Sequence, residues 1–227
     1  MMRQNDYLRY INYPIIQDDK MFKVNSDTVA LGMFMDNLNN KTVLDLGTNN
    51  GALLLYAHYK KAKTLIGVDI FKEALDLAYE NIKNYTDDFI LINSKIQDLD
   101  NDRVDAIVCN PPFFEGDNVR KNEYYRVAMF VDSLSMEDMF KAFKKNIKDN
   151  GEIYFIYSAD NFPDIYNLCL KYKFKIMKLS FVYDNNRPYA SRVLLKLKIG
   201  KMTKLKVLKP FIIKEGSFMW GENDEKK

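Results

Sequence analysis

The chain has 227 residues, of which 47% are hydrophobic, and these values suit one globular domain. It carries 34 Lys and Arg against 31 Asp and Glu, and a net charge of +3 does not by itself indicate nucleic-acid binding. Two cysteines and one histidine exclude a Cys/His metal cluster and disfavour both a disulfide framework and histidine-based hydrolases. Because the sequence shows neither a long apolar run nor a signal-peptide core, we expect a cytoplasmic protein.

Strand and helix patterns alternate along the chain. Short apolar runs predict strands, and apolar residues at helical spacing predict helices between them. In chain order these are strand 42–46, helix 52–60, strand 64–69, helix 72–84, strands 89–93 and 104–109, a helix after Ser135, strand 152–157, helix 162–172 and two long strands near 174–182 and 192–199. The alternation predicts an open α/β fold with a mostly parallel sheet and an antiparallel C-terminal edge hairpin.

The predicted domain spans residues 41–214. Residues 1–40 are expected to add an N-terminal segment with a short helix to the same domain. Residues 215–227 show no pattern, and we expect a mobile tail there.

Two acidic positions lie at the carboxyl ends of predicted strands, where ligands bind in open α/β sheets. The first begins a glycine-containing turn from Asp45 to Gly51, and the second, Asp69, ends the next strand. Glycines let the backbone approach a ligand closely, and a strand-end carboxylate can accept hydrogen bonds from both hydroxyls of a ribose. Asp45 would repel a phosphate, which favours a ligand with an ammonium group over a dinucleotide. A plain strand-to-helix turn is the alternative.

The run Asn110-Pro111-Pro112-Phe113-Phe114 follows the fourth strand directly. An exocyclic amine of a base is a poor nucleophile because its lone pair is delocalised into the ring. The side-chain oxygen of Asn110 and the carbonyl of Pro111 could accept its two hydrogens and free that lone pair. The Pro-Pro step stiffens the loop, and Phe113 could stack on the base. A rigid strand-end loop with buried aromatics is the alternative.

These motifs resemble those of known methyltransferases. The turn resembles the D-x-G-x-G-x-G signature of class I methyltransferases, with Asn49 in place of the middle glycine, and Asn110 opens an Asn-Pro-Pro-Tyr/Phe motif. Residues 17–34, 174–183 and 205–216 are similar to bacterial tRNA1(Val) (adenine(37)-N6)-methyltransferases. The similarity covers most of residues 10–216 and implies a Rossmann-like class I methyltransferase fold.

The resemblance implies an enzyme that uses S-adenosylmethionine, without a metal, to methylate N6 of an adenine in tRNA, at position 37 of a valine tRNA. It implies RNA as partner and no membrane, and it leaves protein partners open. The cofactor-binding candidates are Asp45, Gly47, Asn49, Gly51, Asp69, Ile70, Ile96 and Asp98. The catalytic candidates are Asn110, Pro111, Pro112 and Phe113. The candidate substrate contacts are Phe114, Arg120, Lys121, Arg126, Arg187 and Arg192.

The sequence departs from the family in two places besides the turn. Lys95 stands where the family tends to carry an acidic residue, so Asp98 or the backbone of Ile96 becomes the candidate for the adenine of the cofactor. Of the family's Ala-Arg-His-Glu-like segment only Arg126 is present. Methylation of an rRNA base, a DNA adenine or a protein glutamine remains open, as does a non-catalytic cofactor-binding module, which the intact Asn110 disfavours.

Overall fold

The computed structural model describes residues 3–111, 134–184, 187–200, 204–214 and 217–220. The strands are β1 (Arg3–Leu8), β2 (Tyr13–Asp18), β3 (Thr42–Leu46), β4 (Thr64–Asp69), β5 (Phe89–Asn93), β6 (Val104–Cys109), β7 (Ile147–Ser158), β8 (Phe174–Asp184), β9 (Ala190–Ile199), β10 (Lys206–Val207), β11 (Phe211–Lys214) and β12 (Ser217–Trp220). Within the described residues, the helices are α1 (Ser26–Phe34), α2 (Ala52–Tyr59), α3 (Lys72–Ile82), α4 (Met136–Asn146) and α5 (Phe162–Lys171), and a 3-10 turn lies at Ala159–Asn161.

One large sheet carries the fold, with strand order β12-β11-β8-β9-β7-β6-β3-β4-β5, and β10 pairs with β8. Strands β5, β4, β3, β6 and β7 run parallel to one another. Strand β9 runs antiparallel to both β7 and β8. The mostly parallel sheet and the antiparallel C-terminal pair are therefore confirmed.

The C-terminal pair β8–β9 lies inside the sheet rather than at its edge. Strand β11 pairs with β8, and β12 pairs with β11, so the sheet extends by two further strands. Strand β12 falls within residues 215–227, for which the sequence shows no pattern. The last strands form because the chain returns along the free side of β8, which offers unpaired backbone groups.

Alternation of side chains divides the core into two layers, one on each side of the sheet. Val43 on β3 and Val108 on β6 pack towards α1, α2 and α3, whereas Leu44 and Cys109 pack towards α4 and α5. All four side chains are fully buried. Asp45 has the same parity as Val43 and therefore points into the layer of α1, α2 and α3.

The N-terminal segment contains a hairpin that the sequence pattern did not predict. Strands β1 and β2 pair antiparallel. The amide of Asn81 on α3 accepts from the backbone N–H of Ile16 at 2.8 Å and donates to its carbonyl at 3.0 Å. Its Nδ2 also donates to the carbonyl of Asn50 at 2.9 Å, so the same side chain joins the hairpin to the predicted cofactor turn. Among the described residues, no helix has the length and apolar character needed to cross a membrane.

Candidate active site

The turn after β3 folds back over the end of β4. The backbone N–H groups of Gly47 and Thr48 both donate to the carbonyl of Val68 at 2.9 Å. Gly47 and Gly51 have φ of 80°, a value that favours glycine. A Cβ added at Gly47 would meet no atom within 4 Å. The backbone at Gly47 is therefore exposed beside open space, as the predicted close approach to a ligand requires.

Asn49 replaces the middle glycine of the motif without disrupting the turn. Its φ is 48°, in the left-handed region that asparagine tolerates better than most residues. Its Nδ2 donates to the carbonyl of Phe22 at 2.5 Å. Its Oδ1 is buried and has no hydrogen-bond partner within the described ranges. Asn49 thus ties the segment before α1 to the turn and leaves one buried acceptor without a partner among the described residues.

Asp45 lies beneath the turn and is fully buried. Its Oδ2 accepts from the hydroxyl of Thr48 at 2.8 Å. Its Oδ1 is buried and finds no partner in the part of the chain that the structure describes. Burial, followed by the nearby charge of Asp69, raises the pKa of Asp45 to about 7, although the Thr48 hydrogen bond opposes the rise.

Asp69 ends β4 as predicted, and its carboxylate organises the backbone around it. Oδ2 accepts from the N–H of Asn49 at 2.9 Å, and Oδ1 accepts from the N–H of Phe71 at 3.0 Å. Binding of ribose hydroxyls by this carboxylate stays a prediction. The Nδ2 of Asn93, a residue that the sequence analysis missed, donates to the carbonyls of Asp69 and Ile70 at 3.0 and 2.9 Å. Asn93 is the last residue of β5, the neighbour of β4, and a polar residue at that strand end was the sequence signal that could have identified it.

The remaining cofactor candidates follow the ends of β4 and β5. Ile70 is half-buried, Ile96 is buried and Asp98 is exposed. The backbone N–H of Asp98 donates to the carbonyl of Lys95 at 3.1 Å, which forms a short turn. Their roles towards the cofactor stay predictions.

Asn110 comes next to the glycine turn through the pairing of β3 with β6. Leu46 lies opposite Cys109 in the register, so Gly47 and Asn110 leave adjacent strands at the same edge. Asn110 is half-buried, Pro111 is buried, and the Nδ2 of Asn110 donates to the hydroxyl of Thr28 at 3.4 Å. The other candidates after this point, Pro112, Phe113, Phe114, Arg120, Lys121 and Arg126, lie outside the described residues.

The two arginines of the β8–β9 region differ in environment. Arg187 is exposed. The Nε of Arg192 donates to Oδ2 of Asp27 at 3.3 Å, and the two side chains are only 20% and 13% exposed. Burial raises the pKa of Asp27, and the guanidinium opposes the rise. Arg192 therefore ties α1 to the sheet, and its role as a phosphate contact stays a prediction.

The fold defines an open α/β protein, and its candidate ligand site lies at the carboxyl ends of β3, β4 and β6. Residues 13–189 match the family described as "Methyltransferase small domain". The chain belongs to this family and is an S-adenosylmethionine-dependent methyltransferase. The predicted Rossmann-like class I methyltransferase fold is confirmed.

The chain is also similar to individual named proteins. The chain is 28% identical over 163 residues to the tRNA1(Val) (adenine(37)-N6)-methyltransferase of Dyadobacter fermentans, covering 70% of this chain and 68% of the relative. It is 30% identical over 167 residues to the protein of the same name from Trichodesmium erythraeum, covering 69% and 70%. A ribosomal protein L11 methylase from Lactobacillus delbrueckii subsp. bulgaricus superposes with a TM-score of 0.59 at 21% identity, covering 80% of this chain and 82% of that one. At this identity the likeness shows a shared fold.

Proposed function

We propose that the protein methylates N6 of an adenine in tRNA, with position 37 of a valine tRNA as the specific target. The observation that supports this proposal most directly is that Asn110 and Pro111 lie next to the open glycine turn, as the β3–β6 register requires. That adjacency would set an exocyclic amine beside a methyl donor held at the turn. The named activity of the two curated relatives supports tRNA as the substrate.

Two features of the turn support S-adenosylmethionine as its ligand. Gly47 borders open space, and Oδ1 of Asp45 and Oδ1 of Asn49 are buried acceptors without a partner among the described residues. Such acceptors suit a ligand that brings N–H or O–H donors. We assign cofactor binding to these three residues together with Gly51 and Asp69. When bound, S-adenosylmethionine supplies an electrophilic methyl group on its sulfonium.

The protein's chemical contribution is to activate and orient the amine. The amide oxygen of Asn110 and the carbonyl of Pro111 accept its two hydrogens, which favours a pyramidal nitrogen with an available lone pair. Acceptors held in place before reaction act on the transition state without a reorganisation cost. The methylated nitrogen then loses a proton to solvent, so no histidine is needed.

The test is methyl transfer from labelled S-adenosylmethionine to bulk tRNA that lacks the modification, followed by nucleoside analysis. We expect N6-methyladenosine with the wild type and at least about a 100-fold lower rate with Asn110→Ala, the usual effect of removing one transition-state hydrogen-bonding group. Asn84→Ala changes an exposed amide in the turn that follows α3; it is the matched control and should keep the wild-type rate. Sequencing of the labelled tRNA then gives the species and position.

A wild-type protein that binds the cofactor yet leaves tRNA unlabelled would contradict the proposal. The rRNA, DNA and protein substrates that the Asn-Pro-Pro motif also allows would then be tested in that order.

A further inference from the structure

The first turn of α1 contacts the amide of Asn110. The hydroxyl of Thr28 lies 3.4 Å from Nδ2 of Asn110, and Thr28 is buried. We propose that Thr28 is a positioning residue, whose hydroxyl fixes the Asn110 side chain with its oxygen turned towards the substrate amine. The inference rests on the proposed function of Asn110 and adds a residue from a distant part of the chain.

The direction of each hydrogen bond follows from one backbone group. The N–H of Thr28 can only donate, so the side-chain atom of Asn25 that it meets at 3.0 Å must be the amide oxygen. That oxygen can only accept, so the Thr28 hydroxyl, 3.1 Å away, gives its single proton to it. The hydroxyl can then only accept from Asn110, which must present its NH₂ group. The amide oxygen of Asn110 consequently points away from Thr28.

Thr28 is held rigidly before any substrate arrives. Asn25 caps the N-terminus of α1, and the partly buried ion pair between Asp27 and Arg192 ties the same turn to β9. Arg192 lies opposite Ser158, the last residue of β7, in the register of the sheet. The hydroxyl is thus anchored at the edge of the sheet from which Asn110 emerges.

The orientation of the Asn110 amide decides whether it can activate an amine. With the oxygen towards the substrate, it accepts a hydrogen of the amine. After a 180° rotation the NH₂ group would face the amine hydrogens, donor against donor. Without the Thr28 hydroxyl, the Asn110 side chain loses the contact that holds it in place, so its oxygen is no longer fixed for the transition state before the substrate arrives.

Two substitutions separate the hydroxyl from the rest of the side chain. Thr28→Val keeps the shape and removes the acceptor, and Thr28→Ser keeps the acceptor and removes the methyl group. We expect kcat to fall about tenfold in Thr28→Val, the effect of one hydrogen bond, with an unchanged KM for S-adenosylmethionine. We expect Thr28→Ser to stay within about twofold of the wild type. Thr64→Val, at the opposite end of the sheet on β4, is the matched control.

A wild-type kcat in Thr28→Val, or an equal loss in Thr28→Ser, would overturn the inference. A substrate-independent measurement keeps it testable if tRNA is not the substrate. In ¹⁵N–¹H NMR spectra, the Asn110 side-chain NH₂ signals, assigned by their loss in Asn110→Ala, should shift in Thr28→Val and not in Thr64→Val. Unshifted signals would refute the contact, whereas failure of the wild type to methylate tRNA with shifted signals would refute only the proposed substrate.

Discussion

The buried carboxyl of Asp45 predicts that stability falls as pH rises, and that Asp45→Asn removes this fall. Burial raises the pKa of Asp45 from its ordinary value of 3.8 to about 7. Between these values the folded protein binds more protons than the unfolded chain, so the free energy of unfolding decreases with pH. At about 1.36 kcal/mol per pKa unit, the decrease reaches at most about 4 kcal/mol. The contribution is fully present below about pH 4 and is lost as the pH rises through about 7.

Urea unfolding of the protein without cofactor, at pH values from about 5 to 8, measures this effect. The asparagine side chain keeps an acceptor for the Thr48 hydroxyl, but its NH₂ group would face the position where Oδ1 of Asp45 has no described partner. The resulting destabilisation of about 1–3 kcal/mol is independent of pH. We therefore compare how steeply the free energy of unfolding changes with pH in the two proteins, not its absolute values. Other groups with shifted pKa values, such as Asp27, are common to both proteins and cancel in the difference. Asp164→Asn, an exposed carboxyl on α5, should keep the wild-type slope.

Parallel curves for wild type and Asp45→Asn would refute the reasoning. They would mean that Asp45 is ionised throughout this range, and that the turn supplies the carboxylate with a donor or with water.

Three further predictions concern the turn and the ion pairs of the fold. Gly47→Ala should lower the free energy of unfolding by only about 1 kcal/mol, the cost of a left-handed φ at alanine. It should weaken S-adenosylhomocysteine binding at least tenfold in calorimetry, because the added Cβ enters open space that we assign to the cofactor. An unchanged affinity would mean that the cofactor binds elsewhere. Asn49→Ala should destabilise the protein by about 1–2 kcal/mol, because alanine is strained at a left-handed φ and the hydrogen bond to Phe22 is lost. Asn49→Gly should destabilise it by less, since glycine tolerates this φ. If urea unfolding shows the glycine variant to be the less stable of the two, φ is not the cause. Glu152→Gln should cost about 3 kcal/mol at neutral pH, because this buried carboxylate contacts three lysines, including Lys196 at 2.7 Å. These ion pairs lower the pKa of Glu152 to about 2, so the difference in stability between Glu152→Gln and the wild type should persist down to about pH 4. A destabilisation below about 1 kcal/mol in urea unfolding at pH 7 would contradict the assigned role of the ion pairs.

Local sequence patterns were sufficient for the central part of the fold. Strands β3, β4, β5 and β6 begin and end where the apolar runs predict. Fully buried parallel strands read as continuous apolar runs bounded by polar residues, so their limits are local information. The start of α4 after Ser135 was likewise predicted, and Ser135 caps this helix by accepting from the N–H of Asp138 at 3.0 Å.

Sequence patterns alone were enough to predict the α/β class, the succession of strands β3 to β9 and the edge at which Asp69 and Asn110 emerge. These follow from periodicity, and from the rule that parallel strands end at one edge of the sheet. The pairing of Arg192 with Asp27, and the contact of Thr28 with Asn110, which lies 82 residues away in the chain, became visible only in the folded protein. Such contacts depend on which strands become neighbours and on how α1 packs against them, and neither is encoded in the period of a single segment.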